Sequence, residues 1–184
     1  MNKVALIVAG PPGIGKSEIC ALLKPLLYSK LGLTPFFYIW GDAFAHISYP
    51  WQGEERQLQT KYRAIRAVIS TLFFDTGVLL IDDLFASERS LELLASALEG
   101  HGFRNVVLVL RAPLATVLSR NMHRYQREVV PNHKVVELYK RTYECIADSA
   151  CDVIDIDANG SIENTMEAII EVLEDRGILC NPPA

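Results

Sequence analysis

The sequence predicts an α/β fold with three layers, αβα, in which helices cover both faces of a five-stranded parallel sheet. Short apolar runs alternate with segments whose apolar residues recur at helical spacing, from one end of the chain to the other. A glycine-rich turn follows the first apolar run, and a polar group follows each of the other four. Ligands bind along that edge of open α/β sheets, so the polar groups predict one shared site.

The composition is that of one globular domain, which we expect to span residues 1–184. Half of the residues are hydrophobic, 22% are charged, and the formal net charge is -4. This negative charge disfavours a non-specific nucleic-acid binder. No apolar run approaches the ~20 residues of a membrane span, and the four cysteines show no metal-ligand spacing. We therefore expect a cytoplasmic protein without a membrane partner.

The first half of the chain contains three of the five predicted strands. Residues 4–9 form a continuous apolar run, and the segment 19–27 that follows has apolar residues at helical spacing. Aromatic residues dominate the second strand, at 35–40, and one apolar face marks a long helix over 58–73. A glycine ends that helix before the third strand, at 78–81.

The second half continues the same alternation. Leucines at helical spacing mark a helix over 91–98, and glycines separate it from the fourth strand, at 106–110. A polar stretch precedes the helix predicted over 133–148. A short fifth strand at 153–156 then turns into a last helix, whose apolar residues lie within 162–173.

The turn after the first strand has the spacing G-x-x-x-x-G-K-[ST]. Its residues are Gly10, Pro11, Pro12, Gly13, Ile14, Gly15, Lys16 and Ser17. Between a strand and a helix this motif is a P-loop, whose backbone N–H groups surround phosphate oxygens at a helix N-terminus. We expect Lys16 to reach the β- and γ-phosphates of ATP and Ser17 to bind Mg²⁺. The alternative is a chance glycine turn before a helix.

Carboxylates follow the second and third strands. Asp82 and Asp83 end an apolar strand as a Walker B acid does, and we expect them to hold Mg²⁺ directly or through its waters. One of the two has a helix cap or a loop carboxylate as its alternative role, and the sequence leaves open which one faces the metal. Asp42 follows the second strand, where a kinase places the general base for the acceptor hydroxyl. Its alternative role is a cap for the next segment.

An arginine-rich stretch at about 120–134 predicts a lid. Arg120, Arg124 and Arg127 lie on it, and residues 120–141 contain six Lys or Arg against two Glu. Guanidinium groups match the negative charge that phosphoryl transfer spreads over three oxygens. A closing lid would also exclude water. The alternative is a solvated basic face.

These motifs resemble the chloramphenicol phosphotransferase family of P-loop kinases, over about residues 3–175. The shared motifs are Gly15-Lys16-Ser17, Trp40-Gly41-Asp42, residues 81–85, and arginines at Arg111, Arg120, Arg124 and Arg127. Related zeta-toxin-like and polynucleotide-kinase-like enzymes share the P-loop, the second-strand aspartate and the lid arginines. The resemblance implies a nucleoside-kinase-like P-loop NTPase fold. It also implies that Asp42 is the general base, that Arg120 lies by the adenine, and that Arg124 and Arg127 approach the phosphates.

Together the residues predict an ATP- and Mg²⁺-dependent phosphotransferase. We expect it to move the γ-phosphate to a hydroxyl of a small molecule, with antibiotics among the candidate acceptors. Two alternatives stay open. One is a polynucleotide or nucleotide-sugar kinase, although residues 43–76 show no clean basic track for a nucleic-acid acceptor. The other is a nucleotide-dependent switch ATPase that has no acceptor. Asp42 favours a kinase, and the sequence leaves the oligomeric state open.

Overall fold

The computed structural model describes residues 3–32, 34–44, 54–72, 75–85, 88–124, 129–147 and 151–179. Within these residues five strands alternate with helices. The strands are β1 (Lys3–Ala9), β2 (Phe36–Trp40), β3 (Gly77–Asp82), β4 (Arg104–Arg111) and β5 (Asp152–Asp157). The helices are α1 (Lys16–Leu31), α2 (Glu54–Ser70), α3 (Glu88–Glu99), α4 (Leu114–Met122), α5 (Asn132–Ala147) and α6 (Ile162–Asp175). A short 3₁₀ turn, Gly41–Phe44, follows β2.

The five strands form one parallel sheet in the order β2-β3-β1-β4-β5. The central strand β1 pairs with β3 and β4, so that Val8 lies opposite both Asp82 and Leu108. Trp40 of β2 also lies opposite Asp82. Since all strands are parallel, their carboxyl ends meet at one edge, where the glycine-rich turn and the polar groups gather. The predicted αβα fold with a five-stranded parallel sheet is confirmed.

Helices cover both faces of the sheet, and the alternation of side chains along β1 shows how. Leu6 and Val8 point to a core shared with α1 and α6, whereas Ala5 and Ile7 point to a core shared with α2 and α3. All four side chains are completely buried. Strands buried on both faces appear in a sequence as continuous apolar runs, which explains why β1, β3 and β4 are easy to find.

The segment around the predicted lid differs in part from the expectation. Helix α4 continues through Arg120 to Met122, whereas the sequence analysis placed Arg120 on the polar stretch of the lid; α5 begins at Asn132, one residue before its predicted start. Asn121 is as deeply buried as Val117, one helical turn before it, so the inner face of α4 continues through a polar residue. That polar residue concealed the end of the helix. Residues 125–128 of the predicted lid lie outside the described residues.

No helix in the part of the chain that the structure describes has the length and apolarity needed to cross a membrane.

Candidate functional site

The P-loop wraps around the point where β1 meets α1. Gly13 and Gly15 adopt positive φ angles of 83° and 106°, which residues with a side chain rarely adopt. Gly15 caps α1, and its carbonyl accepts the backbone N–H of Ile19 at 2.9 Å. Lys16 folds back over the loop, and its Nζ donates to the carbonyl oxygens of Gly10 at 2.9 Å and Pro11 at 3.2 Å. Two loop carbonyls therefore hold the Lys16 ammonium group at a glycine-rich turn before a helix N-terminus, which is the kind of turn that binds anions.

Asp82 lies at the end of β3 and faces this loop. It is 3% exposed, lies within hydrogen-bonding reach of the hydroxyls of Ser17 and Tyr38, and has an Oδ2 atom without a partner among the described residues. Burial raises the pKa of Asp82, and the charge of Lys16 and the hydroxyl of Ser17 oppose that rise. Burial also lowers the pKa of Lys16, and Asp82 is the largest opposing influence. Lys16 and Asp82 thus stabilise each other's charged form.

Ser17 and Asp82 form an oxygen pair that suits Mg²⁺. A buried carboxylate oxygen with no partner, next to a serine hydroxyl, matches the ligands that this cation takes from a protein. Among the described residues, no group of three or more His, Cys, Asp or Glu side chains could hold a metal ion. The pair therefore fits a cation that completes its shell with phosphate oxygens and waters, since Mg²⁺ retains several waters at such sites.

Asp83 faces the opposite side of the sheet, toward α2. Its Oδ1 accepts hydrogen bonds from Lys61 Nζ and the backbone N–H of Leu84, and its Oδ2 accepts from the Tyr62 hydroxyl at 2.9 Å. Burial raises the pKa of Asp83, and the paired Lys61 ammonium offsets part of that rise. Both oxygens of Asp83 are already satisfied, whereas Asp82 has a free one. The geometry favours Asp82 as the metal ligand of the two.

Asp42 lies in the 3₁₀ turn that follows β2, where its side chain is exposed. Its negative charge supports the protonated form of Lys16 and opposes ionisation of Asp82, so the three groups lie within electrostatic reach of one another. Phe44, at the end of the turn, packs against the α2–α3 core. The turn therefore brings a solvated carboxylate next to the phosphate end of the P-loop.

The predicted arginines divide into three cases. Arg120 donates to three backbone carbonyls, through Nη1 to Ile14 at 3.3 Å and Ala158 at 2.7 Å, and through Nη2 to Gly160 at 2.8 Å. It joins the P-loop to the turn between β5 and α6. Arg124 lies just beyond α4, and its charge lowers the pKa of Lys16, so it faces the same site. Arg127 lies outside the described residues.

A cavity of about 1200 Å³ is lined by P-loop residues together with Asp42, Arg120 and Arg124. The P-loop part of its lining follows the central strand β1, and Asp42 and Leu84, which follow β2 and β3, lie toward one edge of the sheet and so at one end of the cavity. The other end is lined by α4, α5 and the β5–α6 turn, and its residues include Arg120, Arg124, Val130, Pro131, Lys134, Leu138, Ala158, Gly160, Ile162 and Thr165. Its size exceeds the 300–1,000 Å³ typical of single-ligand sites, so it has room for a nucleotide and a second small molecule.

Sequence reasoning missed two groups of buried residues that lie next to the site but do not line the cavity. Asn121 is fully buried, and its amide donates to the Val130 carbonyl at 2.7 Å and accepts from the Val130 N–H at 3.2 Å. It also packs on Gly13, where a Cβ would lie 3.1 Å from the Asn121 Cβ. The other group consists of Lys61 and Tyr62, which donate hydrogen bonds to the two carboxylate oxygens of Asp83. Neither group belongs to a local motif, so the sequence contained no signal for these contacts.

Comparison with known proteins finds no matching family model and no matching curated protein. The solved structures that share the fold include the following two. Kti12 of Chaetomium thermophilum, in complex with ADP-AlF3, has a TM-score of 0.67 at 14% identity, with 92% of this chain and 97% of that chain covered. A tunicamycin resistance protein of Deinococcus radiodurans has a TM-score of 0.60 at 19% identity, with 98% of this chain and 99% of that chain covered. This chain therefore has the kinase-like αβα fold of the P-loop NTPases.

Proposed function

We propose that the protein is an ATP- and Mg²⁺-dependent phosphotransferase that moves the γ-phosphate to a hydroxyl of a small molecule. The observation that carries this proposal is the position of the Asp42 side chain in the P-loop cavity. An exposed carboxylate lines the same cavity as the P-loop and lies within electrostatic reach of Lys16. A carboxylate there can take the proton of an acceptor hydroxyl as that hydroxyl attacks the γ-phosphate.

The roles of the other residues follow from their positions. The P-loop backbone and Lys16 would bind the phosphates, and Ser17 and Asp82 would hold Mg²⁺, which when bound neutralises phosphate charge. The adenine of ATP would occupy the end of the cavity between α5 and the β5–α6 turn, beside Arg120. Arg124, together with Arg127, would meet the charge that develops on the transferred group. Asp42 would accept the hydroxyl proton as the acceptor oxygen bonds to phosphorus and the bond to ADP breaks.

Two lines of support bear on the acceptor. The motifs around Asp42 resemble those of chloramphenicol phosphotransferases, and one protein of the same fold is a tunicamycin resistance protein. Both point to a hydroxylated antibiotic or a metabolite of similar size. Among the described residues, Asp42 and Leu84 line the acceptor end of the cavity, and the lining Lys and Arg side chains other than Lys16 lie on α4, just after α4 or on α5. A nucleic-acid acceptor is therefore the less favoured kinase substrate, since its phosphates need cations.

A second candidate function is a nucleotide-dependent switch ATPase without an acceptor. The fold likeness to Kti12, which was solved with ADP-AlF3, supports it. The two functions differ in where the γ-phosphate goes, to an organic hydroxyl or to water.

The experiment is a transfer assay with [γ-³²P]ATP, Mg²⁺ and a panel of hydroxylated antibiotics and metabolites, with Lys16→Ala as the inactive control. We expect label on at least one organic acceptor, only with Mg²⁺ and only with the wild-type protein. Release of labelled phosphate at a rate that no compound changes, with no labelled product, would favour the switch ATPase.

A further inference from the structure

A buried polar cluster lies next to the site but outside the cavity. It consists of Lys61, Tyr62 and Asp83, which are 7%, 4% and 1% exposed. The Asp83 carboxylate accepts from both α2 side chains and from the N–H of Leu84. Burying such an ion pair brings little net stability, because desolvation offsets the attraction. Net stability therefore does not account for the burial of this cluster.

The cluster touches the chain that carries Asp42. At Gly41 a Cβ atom would lie 2.5 Å from the Asp83 Cγ, and 2.7 and 2.8 Å from its two oxygens. The φ angle of Gly41 is not in the left-handed region, so backbone conformation does not require glycine there. The Asp83 carboxylate therefore excludes a side chain at this position. The backbone of the residue before Asp42 therefore rests directly on Asp83.

We propose that Asp83 is a positioning residue for Asp42, whose carboxylate, held by Lys61 and Tyr62, supports the 3₁₀ turn through Gly41. This inference rests on the proposed function, because it assigns to Asp83 the orientation of the proposed general base. Two adjacent aspartates at the end of β3 then have separate tasks on opposite faces of the sheet. Asp82 faces the phosphate and metal pocket, and Asp83 fixes the neighbouring turn to α2.

The structural test compares Gly41→Ala, Asp83→Asn and the wild type by NMR. Gly100→Ala is the matched control, since a Cβ at Gly100 has its nearest neighbour at 3.4 Å. We expect the backbone amide signals of residues 41–44 to move or broaden in the first two variants, and those of Gly13 and Gly15 to stay in place. The Kd for Mg²⁺-ADP should change less than about threefold, because Asp83 is not a metal ligand in this account.

The functional test measures turnover as ATP hydrolysis with water as the probe acceptor. If Asp83 acts through Asp42, then Asp83→Asn lowers kcat and leaves the KM for ATP unchanged. The double variant Asp42→Asn/Asp83→Asn should then be no slower than the slower single variant. If Asp83 has a purely structural role, the double variant should instead combine the full decreases in kcat of both single variants.

Asp83→Asn leaves Lys61 buried without its partner and can unfold the chain. In that case Lys61→Met/Asp83→Asn, which removes both charges, and Gly41→Ala, which keeps both, provide the same readings. Unmoved signals at 41–44, multiplicative losses of kcat, or a more than tenfold weaker Mg²⁺-ADP complex would each overturn the positioning role. If the wild type binds no nucleotide, or Asp42→Asn turns over normally, the proposed function fails instead. The NMR comparison still decides whether Asp83 holds the turn.

Discussion

Asn121→Ala tests whether one buried amide holds the wall of the cavity. Asn121 is completely buried on the inner face of α4, and its side chain makes two hydrogen bonds to the backbone of Val130. Val130 and Pro131 line the cavity at the end where we propose that the adenine of ATP binds. Alanine keeps the helix and removes both hydrogen bonds, so the segment that returns toward α5 loses its attachment to α4.

The expected loss follows from the two bonds. Each neutral hydrogen bond contributes about 1 kcal/mol to stability, so the free energy of unfolding should fall by about 2 kcal/mol. For a chain of 184 residues, each kcal/mol corresponds to about 2–4 °C in Tm, which gives a decrease of about 4–8 °C. ADP should also bind several-fold more weakly, because Gly13 of the P-loop packs on the same side chain.

The assay is thermal unfolding with and without ADP, and the matched control is Asn164→Ala. Asn164 lies on the exposed surface of α6, where such a change shifts stability by less than about 0.5 kcal/mol. A Tm for Asn121→Ala within about 2 °C of the wild type, with unchanged ADP affinity, would refute the reasoning.

Three further variants test the phosphate and metal pocket. Lys16→Ala should abolish transfer and weaken ATP binding in a folded protein, and normal turnover would contradict the P-loop assignment. Arg124→Ala should lower kcat more than it raises the KM for ATP, and a change confined to KM would make Arg124 an ordinary binding contact. Burial raises the pKa of Asp82 in the folded chain above its value in the unfolded chain. Between these two pKa values the folded chain binds more protons than the unfolded chain, so the free energy of unfolding falls as the pH rises through that range. Asp82→Asn should therefore raise the Tm at neutral pH and remove the Mg²⁺-dependent gain in ADP affinity; an intact gain would exclude Asp82 as a ligand.

The fold was predictable because its signals are local. The first four strands contain continuous apolar runs, β5 is interrupted by Asp155, and the P-loop spacing lies within eight consecutive residues. The error at the end of β3, in contrast, has a non-local cause. β3 extends one residue beyond its predicted end, through Asp82, because that residue pairs with Val8 and Trp40 on neighbouring strands. Pairing of this kind cannot be read from one segment.

The choice between Asp82 and Asp83 shows where sequence reasoning stops. Side chains alternate along a strand, so the two aspartates face opposite sides of the sheet. The sequence does not say which side α1 covers, and therefore not which aspartate meets Ser17. The partners of Asp83 lie 21 and 22 residues away, on a helix whose packing no motif encodes. Long-range contacts of this kind need the structure.

The most direct test of the kinase proposal is Asp42→Asn, assayed for both Mg²⁺-ATP affinity and phosphotransfer. Asparagine keeps the size of the side chain but cannot take a proton at neutral pH. The account predicts a folded protein with normal Mg²⁺-ATP affinity and transfer reduced by roughly 10²–10⁴-fold, toward the lower end because a metaphosphate-like transition state needs less help from a base. If Asp42 were only a cap, asparagine would replace it at little cost. Full acceptor-dependent activity in Asp42→Asn would contradict the account.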